Sequence, residues 1–172
     1  IYYKALQGYG YLSSAFYPDV ILIPFAALSL VTSYLFAYNS MLLVMTILCG
    51  VFMYKAIHII YKNSFAAFIS GLLFCFCNYR LFDVYNRGAL AEALAFTFFP
   101  LILLGLYYII KGDYKRNWYV IAIGYTLLIY THILSSVIVY ILTVLFLLIY
   151  YKPLKEEPKR LIYLCLAGGV TI

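Results

Sequence analysis

The sequence predicts an all-α, polytopic transmembrane helix bundle with short and re-entrant or interfacial helices, and three observations predict it. Of the 172 residues, 67% are hydrophobic and 10% charged, with a mean hydropathy of +0.99; a soluble domain holds roughly 45–50% apolar residues. The apolar residues run in long stretches between short charged islands, and about 20 of them in a helix cross a bilayer. The period-two alternation of a transmembrane β-barrel is missing. A water-soluble globule is therefore excluded.

The chain reads as one continuous membrane domain over 1–172, with apolar segments at about 20–37, 40–60, 64–78, 93–110, 118–131, 133–150 and 161–172. It begins at Ile1 without a methionine and stops inside the last apolar run, so an internal fragment of a longer chain is expected. The 20–37 segment opens on Pro18-Asp19, where proline presets the dihedral and the carboxylate favours the positive helix end. Breaks of the FAYNS kind or charged islands close the next segments. The stretch 118–150 is the ambiguous one: at 1.5 Å per residue it is either a single helix of about 50 Å or two short ones.

Orientation decides between them. With two crossings, Lys55, Lys62, Lys111, Lys115, Arg116, Lys152, Lys155, Lys159 and Arg160 share one side and only Lys4, Arg80 and Arg87 lie on the other. A single crossing moves the last four of the nine across and reverses that excess, against the positive-inside bias. Two crossings are expected, with the Phe16–Asp19 stretch, the 78–92 loop and Thr131-His132 all on the non-cytoplasmic face. The 20–37 segment then enters and leaves on that face. The 21 tyrosines, among them Tyr2, Tyr3, Tyr9, Tyr11, Tyr17, Tyr107, Tyr108, Tyr150 and Tyr151 near segment ends, suit the headgroup layer. The net charge of +6 reports orientation before any partner, and nucleic acid is not expected as one. Cys49, Cys75, Cys77 and Cys165 sit in apolar segments with no ligand pair to complete a metal site and read as reduced buried thiols.

Few residues are placed for chemistry. Glu92 lies in NRGALAEALAF, at the edge of an apolar run, where a carboxylate costs up to a few kcal/mol and needs a cation, a metal or a ligand. With Asn86 as helix cap, the five-residue step from Arg87 turns the two about 140° apart, so a pair within one helix is poor and a structural bridge to another helix is the competing reading. Asp83 and Arg87 have the i,i+4 spacing of a surface pair, while Arg87 alone matches a phosphate bidentately. His132 precedes Ser135 and Ser136 on one helix face; it reads as a hydrogen-bonded packing residue or as a binding or proton-transfer group. Asp19 serves the helix terminus or helps bind a divalent cation or sugar hydroxyl. No nucleotide-binding loop or zinc-hydrolase motif is present.

Tyr85-Asn86-Arg87-Gly88-Ala89-Leu90-Ala91-Glu92, then an apolar run ending near KGDYKRNW and a span closing on Tyr130-Thr131-His132, resembles a known pattern. It is similar to the polytopic membrane proteins called 6-pyruvoyl-tetrahydropterin-synthase-related and to the neighbouring YfhO-like proteins, both grouped with GT-C glycosyltransferases. AFYPDVILIP resembles the aromatic-Pro-Pro stretch of such enzymes, with Asp19 in place of the second proline. The likeness covers roughly residues 8–140. It implies a GT-C-like bundle that uses a polyprenyl-phosphate-linked sugar at the outer face of the cell membrane, with an acidic residue of the first outer loop as base or metal ligand. Arg87, Glu92 and His132 match the pattern; Asp19 departs from it. The family name implies no pterin chemistry.

The expectation is therefore glycosyl transfer, with Glu92 and His132 as catalytic candidates and Arg87 and Asp19 as substrate-binding candidates. The cofactor is unknown, a divalent cation such as Mg or Mn being possible. The expected partners are the lipid bilayer and a lipid-linked sugar donor. A transporter or flippase, or a structural membrane subunit, is the alternative.

Overall fold

A computed structural model describes residues 18–171; Lys4, Phe16, the tyrosines Tyr2, Tyr3, Tyr9, Tyr11 and Tyr17, and Ile172 lie outside the described residues. Pro18 precedes the first helix, α1 (Asp19–Ser29), and its carbonyl accepts from the Leu22 N–H at 3.0 Å. The apolar run does not continue as one helix to residue 37. Residues 30–33 turn, and the Ser33 hydroxyl accepts from the Phe36 N–H at 3.2 Å to start α2 (Tyr34–Tyr61). Tyr38, Asn39 and Ser40, expected to break the chain, are inside α2. A serine that satisfies an otherwise free N–H outweighs the few tenths of a kcal/mol that asparagine and serine cost within a helix. At 1.5 Å per residue the 28 residues of α2 run about 42 Å, and α1 only about 16 Å, too short for a hydrocarbon layer of roughly 30 Å.

Lys62, with a left-handed φ of 57°, ends α2, and the Asn63 side chain caps α3 (Ser64–Cys75) by accepting from the Ala66 N–H at 3.0 Å. The chain thus reverses within two residues, and α2 and α3 pack closely along Gly50 and Gly71. A Cβ on Gly71 would stand 3.1 Å from the Gly50 carbonyl oxygen. After a break at Phe76–Cys77 come α4 (Asn78–Phe82) and a π-helical turn (Asp83–Arg87). Gly88 then bends the chain, and α5 (Leu90–Ala95), a 3₁₀ turn (Phe96–Phe98) and α6 (Phe99–Ile110) form one column.

Three columns are long and apolar enough to cross a membrane: Tyr34–Tyr61, Ser64–Arg87 and Leu90–Ile110. The third is the centre of the bundle, since 67% of its apolar window is buried against 17% for α2. Its Leu94, Phe98, Ile102 and Leu106 join Met41 and Met45 of α2 with Ile121 and Leu128 of the next long segment in one core.

The remaining helices are α7 (Tyr114–Asn117), α8 (Tyr119–Ile129), α9 (Ile133–Ile149), α10 (Tyr151–Glu156) and α11 (Lys159–Thr171). The 118–150 stretch is thus two helices, parted at Tyr130–His132. α6 and α8 touch backbone to backbone, for a Cβ on Gly105 would fall 2.5 Å from the Ile121 Cβ. No strand occurs among the described residues.

Candidate functional site

The polar residues gather where the second column ends and the third begins. The π-helical turn closes on Gly88, whose φ of 63° is the left-handed region that a residue without a Cβ enters freely. The Ala89 N–H reaches back to the Asp83 carbonyl at 2.9 Å, and Ala89 becomes the cap of α5, so Glu92 lies in its first turn. Asn86 is inside the π turn and caps nothing. The chain between Arg87 and Glu92 is therefore a corner rather than a helix, and the 140° separation argued from helical geometry does not apply.

The two side chains meet. Arg87 Nη1 lies 3.2 Å from Glu92 Oε2 and 2.8 Å from Asp83 Oδ1, and it donates to the Tyr79 hydroxyl at 3.3 Å. Tyr79 in turn donates to Glu92 Oε1 at 2.5 Å. Behind them Phe96 packs on the Tyr79 ring at 5.8 Å and on Phe99 at 5.0 Å. Exposure is graded: the Arg87 side chain is 45% accessible, Glu92 21% and Asp83 0%. Asp83 is thus no surface partner but a buried carboxylate that holds one corner of the guanidinium. Glu92 also gains from the positive end of the helix it begins.

Three consequences follow for chemistry. Every contact of Arg87 with the described residues uses Nη1, which leaves the Nε and Nη2 edge open on the exposed side. Both oxygens of Glu92 are engaged, Oε1 by the Tyr79 hydroxyl and Oε2 by Arg87, so a substrate hydroxyl reaches the carboxylate only by displacing one of them. With one cation between two carboxylates, the Asp83–Arg87–Glu92 trio carries a formal charge of −1.

His132 precedes α9 with extended backbone, and its Nδ1 shares a hydrogen bond with Ser135 Oγ at 2.7 Å. Ser136 turns instead to the Ile133 carbonyl at 2.6 Å. His132 lies within electrostatic range of the Asp83 carboxylate but bonds to neither Arg87 nor Glu92 among the described residues. Asp19 begins α1 and makes no hydrogen bond or ion pair with the described residues, which is the behaviour of a helix-terminal carboxylate.

Sequence reasoning passed over Tyr79 and misplaced Arg80. The signal for the first was present, since Tyr79, Asp83 and Arg87 recur every four residues and so fall along one side of a helix. Arg80, counted above as an outer-face cation, is only 3% exposed. Its Nη1 donates to the Cys75 carbonyl at 3.0 Å and its Nη2 to Thr46 Oγ1 at 2.8 Å, so it fastens the end of α3 to α2. The carbonyl end of a helix favours a cation there. Arg80 Nε and Asp83 Oδ2 are buried without a partner among the described residues.

Two apolar hollows lie elsewhere, one of about 440 Å³ between α8, α9 and α11 and one of about 370 Å³ between α2 and α3. Neither includes a residue of the Arg87 cluster. No set of three or more His, Cys, Asp or Glu side chains converges among the described residues. With Asp83 buried and both Glu92 oxygens engaged, the described residues do not fit a protein-held Mg or Mn ion.

Described residues that are helical without strands, with membrane-length apolar columns and an ionisable cluster at a column end, define an integral membrane protein. The chain belongs to the 6-pyruvoyl-tetrahydropterin synthase related domain family, described as a membrane protein, whose model matches residues 16–171. No curated protein and no solved structure matches it.

Proposed function

We propose that this domain is part of a polytopic, GT-C-like glycosyltransferase of the cell membrane that takes sugar from a polyprenyl-phosphate-linked donor at the extracytoplasmic face. The observation that carries the reading is the Tyr79–Arg87–Glu92 cluster, half open at the junction of two membrane-length columns. A lipid-linked donor presents its sugar at that level. In a purely structural knot the exposed guanidinium edge has no use.

The charge balance refines the role expected for Arg87. A guanidinium already shared by two carboxylates attracts a phosphate diester weakly, whereas its open N–H edge beside Glu92 and the Tyr79 hydroxyl offers alternating donors and acceptors to a neutral polyol. Arg87 and Glu92 therefore bind sugar hydroxyls, Asp83 positions Arg87, and Glu92 serves as base only where an acceptor hydroxyl displaces Tyr79. His132, within electrostatic range of Asp83 and bonded to Ser135, orients the substrate or relays a proton. Transport, the alternative, finds less support, since the buried cation Arg80 is bonded to protein and borders neither hollow.

Binding of a polyprenyl-phosphate sugar and of the same polyprenyl phosphate without sugar, to reconstituted protein, tests the assignment. Arg87→Lys should weaken the first by about tenfold, the worth of one good hydrogen bond to a charged group, and leave the second nearly unchanged. Equal loss for both lipids would return Arg87 to the phosphate. No sugar-dependent binding at all would remove the glycosyl reading.

A further inference from the structure

The end of the bundle opposite the Arg87 cluster along α6 carries a second organised feature that the transferase reading does not use. The α6–α7 turn, the end of α9, α10 and the start of α11 meet there. Arg160, at the start of α11, donates from Nη1 to the Ile109 carbonyl at 2.9 Å and to the Gly112 carbonyl at 3.2 Å. Its guanidinium lies 4.6 Å from the centre of the Tyr114 ring, and the Lys115 ammonium is 6.0 Å from the same ring. Lys111 stands 5.3 Å from the ring of Tyr150, at the end of α9. These contacts draw two stretches some forty residues apart into one surface. Arg160 is consumed by that architecture, being also paired with Glu157 at 2.9 Å.

Six cations remain exposed around it: Lys111, Lys115, Arg116, Lys152, Lys155 and Lys159. The acidic groups on the same segments are Asp113, Glu156 and Glu157, and Glu157 is already taken by Arg160. Just inside this cationic rim lie Tyr107, Tyr108, Trp118, Tyr119, Tyr150 and Tyr151, the side chains that settle at the level of lipid headgroups. Long lysine stems beyond an aromatic layer carry their ammonium groups into the phosphate plane. α10 has six residues and ends a 17-residue helix, so Lys152 and Lys155 stay close to that plane.

We infer that this face is a binding surface for anionic phospholipid headgroups, held in shape by Arg160 and Tyr114. Its ligand is a negatively charged lipid in the adjoining leaflet, for which clusters of four to eight basic residues next to a span are suited. The inference is independent of the glycosyl reading.

The experiment places the full chain in nanodiscs of phosphatidylcholine containing a trace of spin-labelled phosphatidylglycerol or spin-labelled phosphatidylcholine, and reads the relative association of the two labels by electron paramagnetic resonance. The wild type should prefer phosphatidylglycerol several-fold, and about 0.5 M salt should reduce the preference by screening. Lys152→Gln/Lys155→Gln/Lys159→Gln should bring it close to one, since a cation at a charged surface contributes up to about fivefold. The corresponding triple Lys→Arg variant should retain it. All three positions are exposed, so folding is not at stake, and the unchanged association of labelled phosphatidylcholine checks this. No preference in the wild type, or a preference that survives the triple Gln variant, overturns the inference. Displacement of phosphatidylglycerol by inorganic phosphate beyond that by chloride at equal ionic strength also overturns it, by making the site one for free phosphate.

Discussion

Arg87→Met tests the arrangement of the polar corner because it removes the cation from a carboxylate that has no other escape. Asp83 is fully buried, its Oδ1 depends on Arg87 at 2.8 Å, and its Oδ2 has no partner among the described residues. Removing one partner of a fully buried pair costs about 3–5 kcal/mol, mostly through the charge left behind, and the half-exposed Arg87 places this pair at the lower end. The reverse change, Asp83→Asn, strands nothing of the kind. Arg87 keeps Glu92 and Tyr79 and remains 45% accessible to water, so the loss is that of one charge-assisted hydrogen bond, about 1–2 kcal/mol. The two effects must then be non-additive, since Asn at position 83 removes the charge that Met at position 87 would strand. The double variant should be more stable than Arg87→Met alone, by about 2 kcal/mol. Reversible unfolding in mixed micelles, read by circular dichroism and tryptophan fluorescence at Trp118, supplies the four free energies of the cycle. Lowering the pH should narrow the gap, because protonating the stranded carboxylate removes the charge that makes Arg87→Met costly. Additive losses, or an Arg87→Met no worse than Asp83→Asn, would refute the view that Asp83 is a buried anchor for Arg87.

Other outcomes are expected on the same physical grounds. Single cysteines at Asp113 and Glu156 should label from one side of the membrane and one at Tyr85, which is 79% exposed, from the other; opposite sides for 113 and 156 would contradict the two crossings expected from the cation distribution. Thr46→Val should destabilise by about 1–3 kcal/mol, because it leaves a buried guanidinium N–H without its acceptor, and thermal unfolding in detergent measures it. Gly105→Leu should cost more than Gly88→Ala in the same assay. The first drives a side chain into the backbone of Ile121, an overpacking of typically 1–3 kcal/mol or more. The second meets nothing within 4 Å and carries only the left-handed strain of about 1 kcal/mol.

The membrane character of the chain was legible from composition, and so was a helix start shortly before Glu92. The geometry of the corner that precedes it was not. Capping by Asn86 looked reasonable from residue type, but the left-handed Gly88 and the bond from Ala89 to Asp83 move the helix start to Leu90. That shift of a few residues turns Arg87 and Glu92 from separated groups into partners. The limits of α1 and α2 were misjudged for a related reason, since hydropathy smooths over a serine cap in an apolar run while Asn39 and Ser40 look more disruptive than they are. Arg80 shows what a linear charge count misses: a cation near a segment end was assigned to water, yet the end of α3 and Thr46 draw it inside. The parting of α8 from α9 at Tyr130–His132 matches the two-helix reading drawn from the cation distribution, because there the polar residues mark a backbone turn as well as a surface.

The proposal that the Tyr79–Arg87–Glu92 corner acts on a substrate competes with its being a structural tie alone. The most direct measurement is Glu92→Gln in the full chain: transfer of radiolabelled sugar from a polyprenyl-phosphate donor in proteoliposomes, normalised to the folded fraction, with thermal stability read on the same preparation. Glutamine is nearly isosteric, and Arg87 retains Asp83, so stability should change by no more than about 1 kcal/mol. Transfer should fall by at least about a hundredfold, the lower range for loss of a general base. Unchanged transfer per folded molecule, accompanied by a marked loss of stability, would contradict the claim and leave Glu92 as part of the architecture.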